Sequence, residues 1–500
     1  MGSGPITGCL GIPAFGIDEK GWMRIEKARR RYTGQGTQLV AEAIQKFSRP
    51  YQIATDIGIK IFLPARYAEE IKNIKDLSFK EAMKWEFFLE YPGLEALDTI
   101  THSSDIVQKV TRQNITQSLN LITDDLSEEA DLVLHEMLGD SEEWTSITLK
   151  PFVLDLVARL SSRLFVGEDL CRNEEWLRLA KNFTLDSFAA GRVLRSWPFA
   201  LRSILVWFLP EWKKVRQDTA DAKRILGPVV EKRLAANRAA DAKGLPRPKT
   251  GDTIQWFQDA FERSGVKPRA ADAQLSLSVV AIHTTTELLT GTLLDLAQND
   301  DFIDSLREEM IRVLKEQNAA GKAGGGGEGK TSWKKNSLYK LKLLDSALKE
   351  SQRLHTRDIA SMRRIAQAPV KLSDGTVIPK GAFTWVTLDA YKNPRIYPNP
   401  EEYNPRRFLD LRSQPGEENK WQLVSTTAEH LGFGHGEHAC PGRFFASNEV
   451  KIALVHLLMK YDWKLEGGQR SADVVKGGSE KGVDGEARVL FRRRKEEVGL

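Results

Sequence analysis

Residues 432–445, GFGHGEHACPGRFF, constrain this chain more than any other stretch, because they set glycines at fixed distances around a single cysteine. Phe433, Gly436, Cys440 and Gly442 stand in the spacing FxxGxxxCxG, and an apolar helical pattern follows through Phe444, Phe445, Val450, Ile452, Leu454, Leu457 and Leu458. Glycines at the turning points, Gly434 among them, supply the positive φ that other residues resist and let backbone approach a flat macrocycle closely. An aromatic beside a sulfur covers it and tunes its basicity. A turn of this kind, leading straight into a helix, presents the Cys440 sulfur as an axial thiolate for haem iron, kept deprotonated by the metal and by nearby backbone N–H groups. Such a donor pushes electron density toward bound dioxygen and favours O–O cleavage, which means oxidative chemistry rather than oxygen storage. A lone cysteine is otherwise commonly an apolar filler of a core. His435, His438 and Cys440 as three ligands of a zinc ion form another reading, and it leaves the glycines and Phe433 without a role.

Three further motifs accompany the cysteine. Glu350, Ser351, Gln352 and Arg353 make an ExxR whose i,i+3 spacing sets carboxylate and guanidinium on one helical face. It lies in an apolar run (Leu343, Leu344, Ala347, Leu348), which favours a partly buried network over a solvated surface bridge. Residues 403–408 read YNPRRF, and an apolar helix expected over about 271–296 contains VAIHTT at 280–285. With these motifs the chain resembles the cytochrome P450 family, which implies a mainly α fold with a small β-sheet region around haem b, iron protoporphyrin IX.

The resemblance assigns roles residue by residue. Cys440 is the implied iron ligand, Phe433, Gly434, Gly436 and Gly442 the turn around it, and Glu350, Arg353 and Arg407 a cluster that locks the loop leading to it. His438 and Arg364 are implied partners of the haem carboxylates, with Arg363 as a competitor and a solvated strand edge as the plainer alternative; His435 shares the loop. VAIHTT is similar to the family's oxygen-binding AGxDTT, so Thr284 would hydrogen-bond oxygen and relay protons, with Thr285 beside it. A mid-helix threonine also commonly bonds back to the i−4 carbonyl. His283 departs from the pattern, standing where many relatives carry Asp or Glu; an imidazole passes protons near neutral pH, and a relay built on substrate hydroxyls and water is the alternative. Substrate-pocket candidates are Val279, Val280, Ala360, Ser361 and Phe87, with Phe88 beside it, each of which also reads as core.

The wording FLPARYAEEI, RLFVGEDLCRNEEWL, AIHTTTELL and GHGEHACPGRFFA is similar to filamentous-fungal P450s of secondary metabolism. That implies an O2-dependent monooxygenase acting on a lipophilic polycyclic natural product through a Cys440-ligated haem, with proton delivery through Thr284, hydrogen abstraction and hydroxyl rebound. Oxidative coupling or ring formation without oxygen insertion is a second enzymatic outcome, and a non-catalytic haem-binding sensor, to which His283 lends a foothold, belongs to another class.

Composition narrows the partners. A net charge of +5 over 500 residues is too mild to argue for nucleic acid. No phosphate-cradling glycine loop is present, so electrons are expected from a separate NADPH–cytochrome P450 reductase, with cytochrome b5 as a further donor. Three cysteines, Cys9, Cys171 and Cys440, are too few for a disulfide framework and agree with a reducing compartment. One catalytic domain is expected over 35–500, with a flexible glycine-rich insertion at 319–330 and an N-terminal segment at 1–34. The start, MGSGPITGCLGIPAFG, is neither a signal peptide nor an anchor, and no apolar run reaches the roughly 20 residues that span a bilayer. Eukaryotic members of the family usually begin with an anchor and a basic stretch; Lys27, Arg29, Arg30 and Arg31 fit the latter, so a missing anchor and the cytosolic face of the endoplasmic reticulum membrane are expected. Residues 197–210, WPFALRSILVWFLP, read either as a buried hinge between helices or as a peripheral contact dipping into a membrane interface.

Periodicity predicts an amphipathic helix at 38–47, a hairpin of 51–55 and 60–63 turning at Gly58, and a short helix at 66–74. Residues 79–104 are expected to be irregular. Helices are expected at 105–122, 127–138, 151–165, 174–190 and 213–237, and paired strands at 365–372 and 377–386 around an Asp374–Gly375 turn.

Overall fold

The structure is a computed structural model that describes residues 11–17, 24–323 and 333–498. It forms two compact units, one from the described parts of Met1–Phe88, Lys349–Cys440 and Ala472–Asp484, the other from Leu89–Leu348, Pro441–Ser471 and Gly485–Leu500.

The first unit is built on a sheet ordered β1 (Ala14–Phe15), β2 (Tyr51–Thr55), β3 (Gly58–Leu63), β9 (Phe383–Thr387), β6 (Ala360–Ala366) and β4 (Leu77–Ser78). The expected hairpin forms between β2 and β3, turning at Gly58 with φ +136°. Its strands are buried on both faces, so they read as apolar runs rather than an alternation. Tyr51 stacks on Phe62 at 5.6 Å between ring centres, and Phe62 meets Trp385 of β9 at 5.9 Å. Helix α1 (Arg24–Lys46) covers this core and begins well before residue 38, taking in the basic stretch, whose Arg29 donates to the Asp56 carbonyl at 2.7 Å. α2 (Ala68–Ile71), α3 (Phe79–Phe87), α16 (Arg407–Arg412) and the part of α15 (Lys342–Leu354) from Lys349 onward complete the unit. The strands expected at 365–372 and 377–386 are each divided. Their inner halves form the small hairpin β7 (Val370–Lys371) and β8 (Val377–Ile378), turning through Gly375 at φ +85°, and their outer halves join the large sheet as β6 and β9. β11 (Val474–Gly477) pairs with β12 (Glu480–Gly482).

The second unit is helical: α4 (Glu95–Thr101), α5 (Ile106–Lys109), α6 (Leu119–Leu138), α7 (Leu149–Phe165), α8 (Glu174–Arg195), α9 (Phe199–Leu205), α10 (Pro210–Ala242), α11 (Thr253–Ser264), α12 (Ala270–Ala297), α13 (Asp300–Ala323), α14 (Lys335–Lys340) and α17 (Arg443–Lys460). A sheet ordered β10 (Tyr461–Leu465), β13 (Arg488–Arg493) and β5 (Thr145–Thr148) lies beside them. α12 packs against α4, α7, α8, α10, α11 and α17. By length and composition it could cross a membrane, yet 67% of that stretch is buried inside the protein.

Several expectations change. Residues 79–104 are not irregular: they hold α3, whose N-terminus is capped where Ser78 Oγ accepts from Glu81 N at 3.2 Å, and α4. α3 stops at Phe88, which adopts the left-handed conformation at φ +56°, rare for an aromatic residue. The break expected at 123–126 falls earlier. Thr111 donates to the Val107 carbonyl and Thr116 to that of Thr111, and such hydroxyl bonds compete with regular helix, so the chain widens over Val110–Ile115 and α6 starts at Leu119. Of the glycine-rich insertion, 319–323 continue α13, and 324–330 lie outside the described residues.

Candidate functional site

The cysteine turn closes on its own backbone. Cys440 N donates to the Phe433 carbonyl at 2.8 Å, Ala439 N to that of Gly436 at 3.0 Å and Gly434 N to that of Leu431 at 2.9 Å. Gly434 at φ +69° and Gly436 at φ +75° supply the left-handed turns; Gly442, at φ −87°, needs no such freedom and serves as the N-cap of α17. The close approach expected of these glycines occurs at Gly436, where a Cβ would lie 2.5 Å from Lys72 Cβ and 2.7 Å from its carbonyl oxygen. The turn thus rests on the residues after α2, fixed also by Glu437 N donating to Asn73 Oδ1 at 2.9 Å. Cys440 is half-buried.

Behind the turn, Glu350 receives both arginines. Arg353 donates to its two carboxylate oxygens at 2.8 and 2.9 Å, and Arg407 Nε to Oε1 at 2.8 Å. Arg353 also reaches the carbonyls of Tyr391 and Pro400, and Arg407 those of Asn399 and Glu402, so the cluster ties α15 and α16 to the loop that leads toward the cysteine.

Arg364 and Arg363 separate cleanly. Arg363 is engaged with Glu86 and Asp358 at 2.8 and 2.9 Å. Arg364, 2% exposed, donates to the carbonyl of Arg363 and has no carboxylate at ion-pair distance among the described residues; burial pushes it down to about 10, opposed by the charge of Glu437. Its guanidinium lies 5.7 Å from the ring centre of Phe79, and Phe79 in turn stacks against His438 at 5.6 Å. The sequence reading missed Phe79; its only signal was an aromatic opening a stretch taken as irregular. His435 turns the other way, to Glu69 at 2.8 Å and Thr426 at 3.3 Å. Among the described residues no group of three or more His, Cys, Asp or Glu is placed to hold a metal ion, so the three-ligand zinc arrangement is not formed.

α12 opens on one face in the second unit. Val280, 45% exposed, and Thr284 lie one turn apart on it, while Val279 is buried. The back-bonding anticipated for Thr285 is taken by its neighbours: Thr284 donates to the carbonyls of Val280 and Ala281, and Thr286 to that of Ile282. Thr285 turns instead toward Glu449 of α17. His283 Nε2 donates to the Lys181 carbonyl at 2.8 Å, which ties the ring to α8. Of the other pocket candidates, Ala360 packs in the core beside Trp385, Ser361 donates to the Leu431 carbonyl at 3.3 Å, and Phe87 is half-buried beside Arg363.

These residues fit a haem. In the first unit a buried guanidinium with no carboxylate at ion-pair distance calls for an anion, which a propionate supplies, and Cys440 ends a rigid turn.

A family model for cytochrome P450 matches residues 99–478. The chain is 42% identical to cytochrome P450 monooxygenase adrA of Penicillium rubens over 95% of its length and 90% of that protein. It is likewise 42% identical to cytochrome P450 monooxygenase 1 of Gibberella fujikuroi (90% and 99%) and to cytochrome P450 monooxygenase hepE of Aspergillus oryzae (94% and 83%). The solved structure of retinoic acid-bound cyanobacterial CYP120A1 superposes with a TM-score of 0.69 at 18% identity, covering 99% of this chain and 100% of that one, and shows the same fold. The chain belongs to the cytochrome P450 family. It is an oxidoreductase of the monooxygenase type, and the family implies a haem cofactor and the use of O2 and redox partners.

Proposed function

We propose that this protein is a haem-thiolate monooxygenase that uses dioxygen to hydroxylate or otherwise oxidise a lipophilic, polycyclic natural product of fungal secondary metabolism. The observation that carries this reading is the half-buried Cys440 at the end of a turn closed by its own amide. When bound, haem b ligated through Cys440 supplies reductive oxygen activation and abstraction of a substrate hydrogen. The chain's residues do the rest. Arg364 and His438 hold the propionates, Glu350, Arg353 and Arg407 keep the loop in place, and Thr284 donates a hydrogen bond and a proton where oxygen reacts. Val280, on the open face of α12, meets the substrate. Electrons come from a separate NADPH–cytochrome P450 reductase.

Turnover with isotopically labelled O2 tests this reading on a panel of lipophilic terpenoid substrates. One labelled oxygen atom in the product is the expected result, whereas a dehydrogenated or coupled product without label would contradict oxygen insertion. Thr284→Ala should keep the haem spectrum and divert reducing equivalents to peroxide, lowering product per electron by roughly the 10²-fold or more that a lost proton donor costs; unchanged coupling would remove Thr284 from this role.

We also propose peripheral contact with the endoplasmic reticulum membrane, on its cytosolic face, through α9 and its flanks. α9 has no buried residue, and Ile204, Trp207 and Phe208 are 60%, 52% and 68% exposed. Arg216 holds the segment in shape by donating to the carbonyls of Val206 and Trp207. Burying such side chains is worth about 1.5–3 kcal/mol each and every 1.4 kcal/mol is tenfold, so Trp207→Ser with Phe208→Ser should weaken partition into phosphatidylcholine vesicles by roughly tenfold or more. Equal partition of wild type and variant would place the contact elsewhere.

A further inference from the structure

α8 and α10 pack against each other as two arms joined through the exposed α9. Each arm carries an aspartate at a similar distance from that tip: Asp186 on α8, before Arg195, and Asp218 on α10, after Pro210. One ammonium serves both. Lys214, one turn before Asp218, pairs with Asp218 Oδ1 and lies 3.3 Å from Asp186 Oδ2. The two carboxyl groups stand within hydrogen-bond reach of each other. The Asp218 side chain is 2% exposed, that of Asp186 30% and that of Lys214 51%. Asp218 Oδ2 is buried and receives no hydrogen bond from any described residue.

Two carboxylates this close repel strongly when both are ionised, and such a pair keeps one proton between its oxygens. Lys214 offsets one of the two negative charges, and being half in water it is screened. The positions three and four away from Asp186 on α8 carry no base, and those around Asp218 on α10 carry only Lys214. A shared proton is therefore what joins the arms at this level.

We propose that Asp186, Asp218 and Lys214 form a proton-dependent clasp between the two arms that carry α9, closed while one proton is shared by the carboxyls and slackened when it is lost. The clasp rests on the packing of α8 against α10 and not on the monooxygenase reading. Opening releases one proton from a carboxyl to water at the Asp186 edge, closing takes one back, and no electrons move.

Burial holds the Asp218 carboxyl above its usual value of 3.8; Lys214 opposes the rise and Asp186 adds to it. The titration belongs to the pair rather than to either residue. Other charged groups on the packed elements are engaged elsewhere. On the two arms Glu175 pairs with Arg224, Lys181 with Asp155, Asp221 accepts from Gln217, and Arg216 donates to the carbonyls of Val206 and Trp207. On α12, His283 holds the Lys181 carbonyl, Glu287 pairs with Lys150 and Asp272 with Arg269; before α4, Glu95 accepts from Gly93 N. The folded chain keeps at Asp218 a proton that the unfolded chain gives up near 3.8. This contribution to stability is whole below that pH and is lost as pH rises through the raised folded value.

Hydrogen exchange of the full chain tests the clasp, read on peptides covering 183–195, 199–208 and 210–222 and divided by the intrinsic rate at each pH. In wild type, opening of these segments should grow above about pH 4, by up to about tenfold per pH unit while the proton is being lost, and then level. Asp218→Asn sets a permanent amide donor against Asp186, so its exchange should stay slow and flat over the same range. Matching pH dependences in the two proteins would overturn the proposal. Faster opening of Asp218→Asn than of wild type at every pH would overturn it too, because the Lys214 ion pair alone would then hold the joint. Asp186→Asn places the same donor on the other arm and carries the same comparison if Asp218→Asn does not fold. Lys214→Met should move the loss of protection to higher pH, since the proton alone then offsets the repulsion; a midpoint unmoved or lower would count against a shared proton. These measurements need neither haem nor turnover, so their failure and that of the monooxygenase reading are told apart.

Discussion

Cys440→Ala should abolish turnover and the spectrum that reduced thiolate-haem gives with carbon monoxide, while leaving the polypeptide folded. The turn does not depend on sulfur for its shape: Cys440 contributes its amide to the Phe433 carbonyl, and Gly434 and Gly436 set the backbone. Alanine keeps all of this. What it removes is the only cysteine in the turn. Loss of a supporting residue around a metal site costs about 10–100-fold, so loss of the ligand should exceed that and leave no product above background. The checks are carbon monoxide difference spectra and product formation on wild type and variant expressed side by side, with circular dichroism to confirm folding. Either activity or the thiolate spectrum surviving would assign the ligand elsewhere.

Glu350→Gln should be the most destabilising conservative change in the first unit. The Glu350 side chain is 0% exposed, and those of Arg353 and Arg407 are 1% and 5% exposed, so the carboxylate neutralises two guanidinium groups out of reach of water. Glutamine keeps the volume and removes the charge. Leaving a buried charge uncompensated costs about 3–5 kcal/mol, a large part of the roughly 5–15 kcal/mol that keeps a domain folded. The expected result is a marked drop in apparent melting temperature and in the haem retained by soluble protein. Arg353→Lys should fail in the same direction, because a lysine offers a single point charge where the guanidinium fork spans both carboxylate oxygens and two carbonyls. A melting temperature equal to wild type for Glu350→Gln would show that the cluster does not support the loop.

The legible parts of the sequence are those in which a local spacing and a local geometry coincide. A cysteine turn needs its glycines within a few residues, and an ExxR places both charges on one face of one helix, so each is visible without knowing the fold. Arg407 became visible only through family likeness, since nothing local says that it meets a glutamate 57 positions away. The helices α3 and α4 were hidden because their segment is crowded with aromatics and its signals are short: a serine cap and a left-handed Phe88. The separation of Arg363 from Arg364 was invisible for another reason. Neighbours on a strand point to opposite faces, and which face holds Glu86 and which is left without a carboxylate depends on how the sheet and α3 pack. Glu449 is the clearest case. In sequence it is one of several polar residues in a largely apolar helix; its surroundings come from α7 and α12 approaching from distant parts of the chain, Ser161 lying 288 positions away.

X-ray absorption at the iron edge of the purified holoprotein tests the assignment of Cys440 most directly. A single sulfur scatterer on the iron axis in wild type, lost in Cys440→Ala, is the predicted result. An iron surrounded only by nitrogen and oxygen in wild type would contradict it.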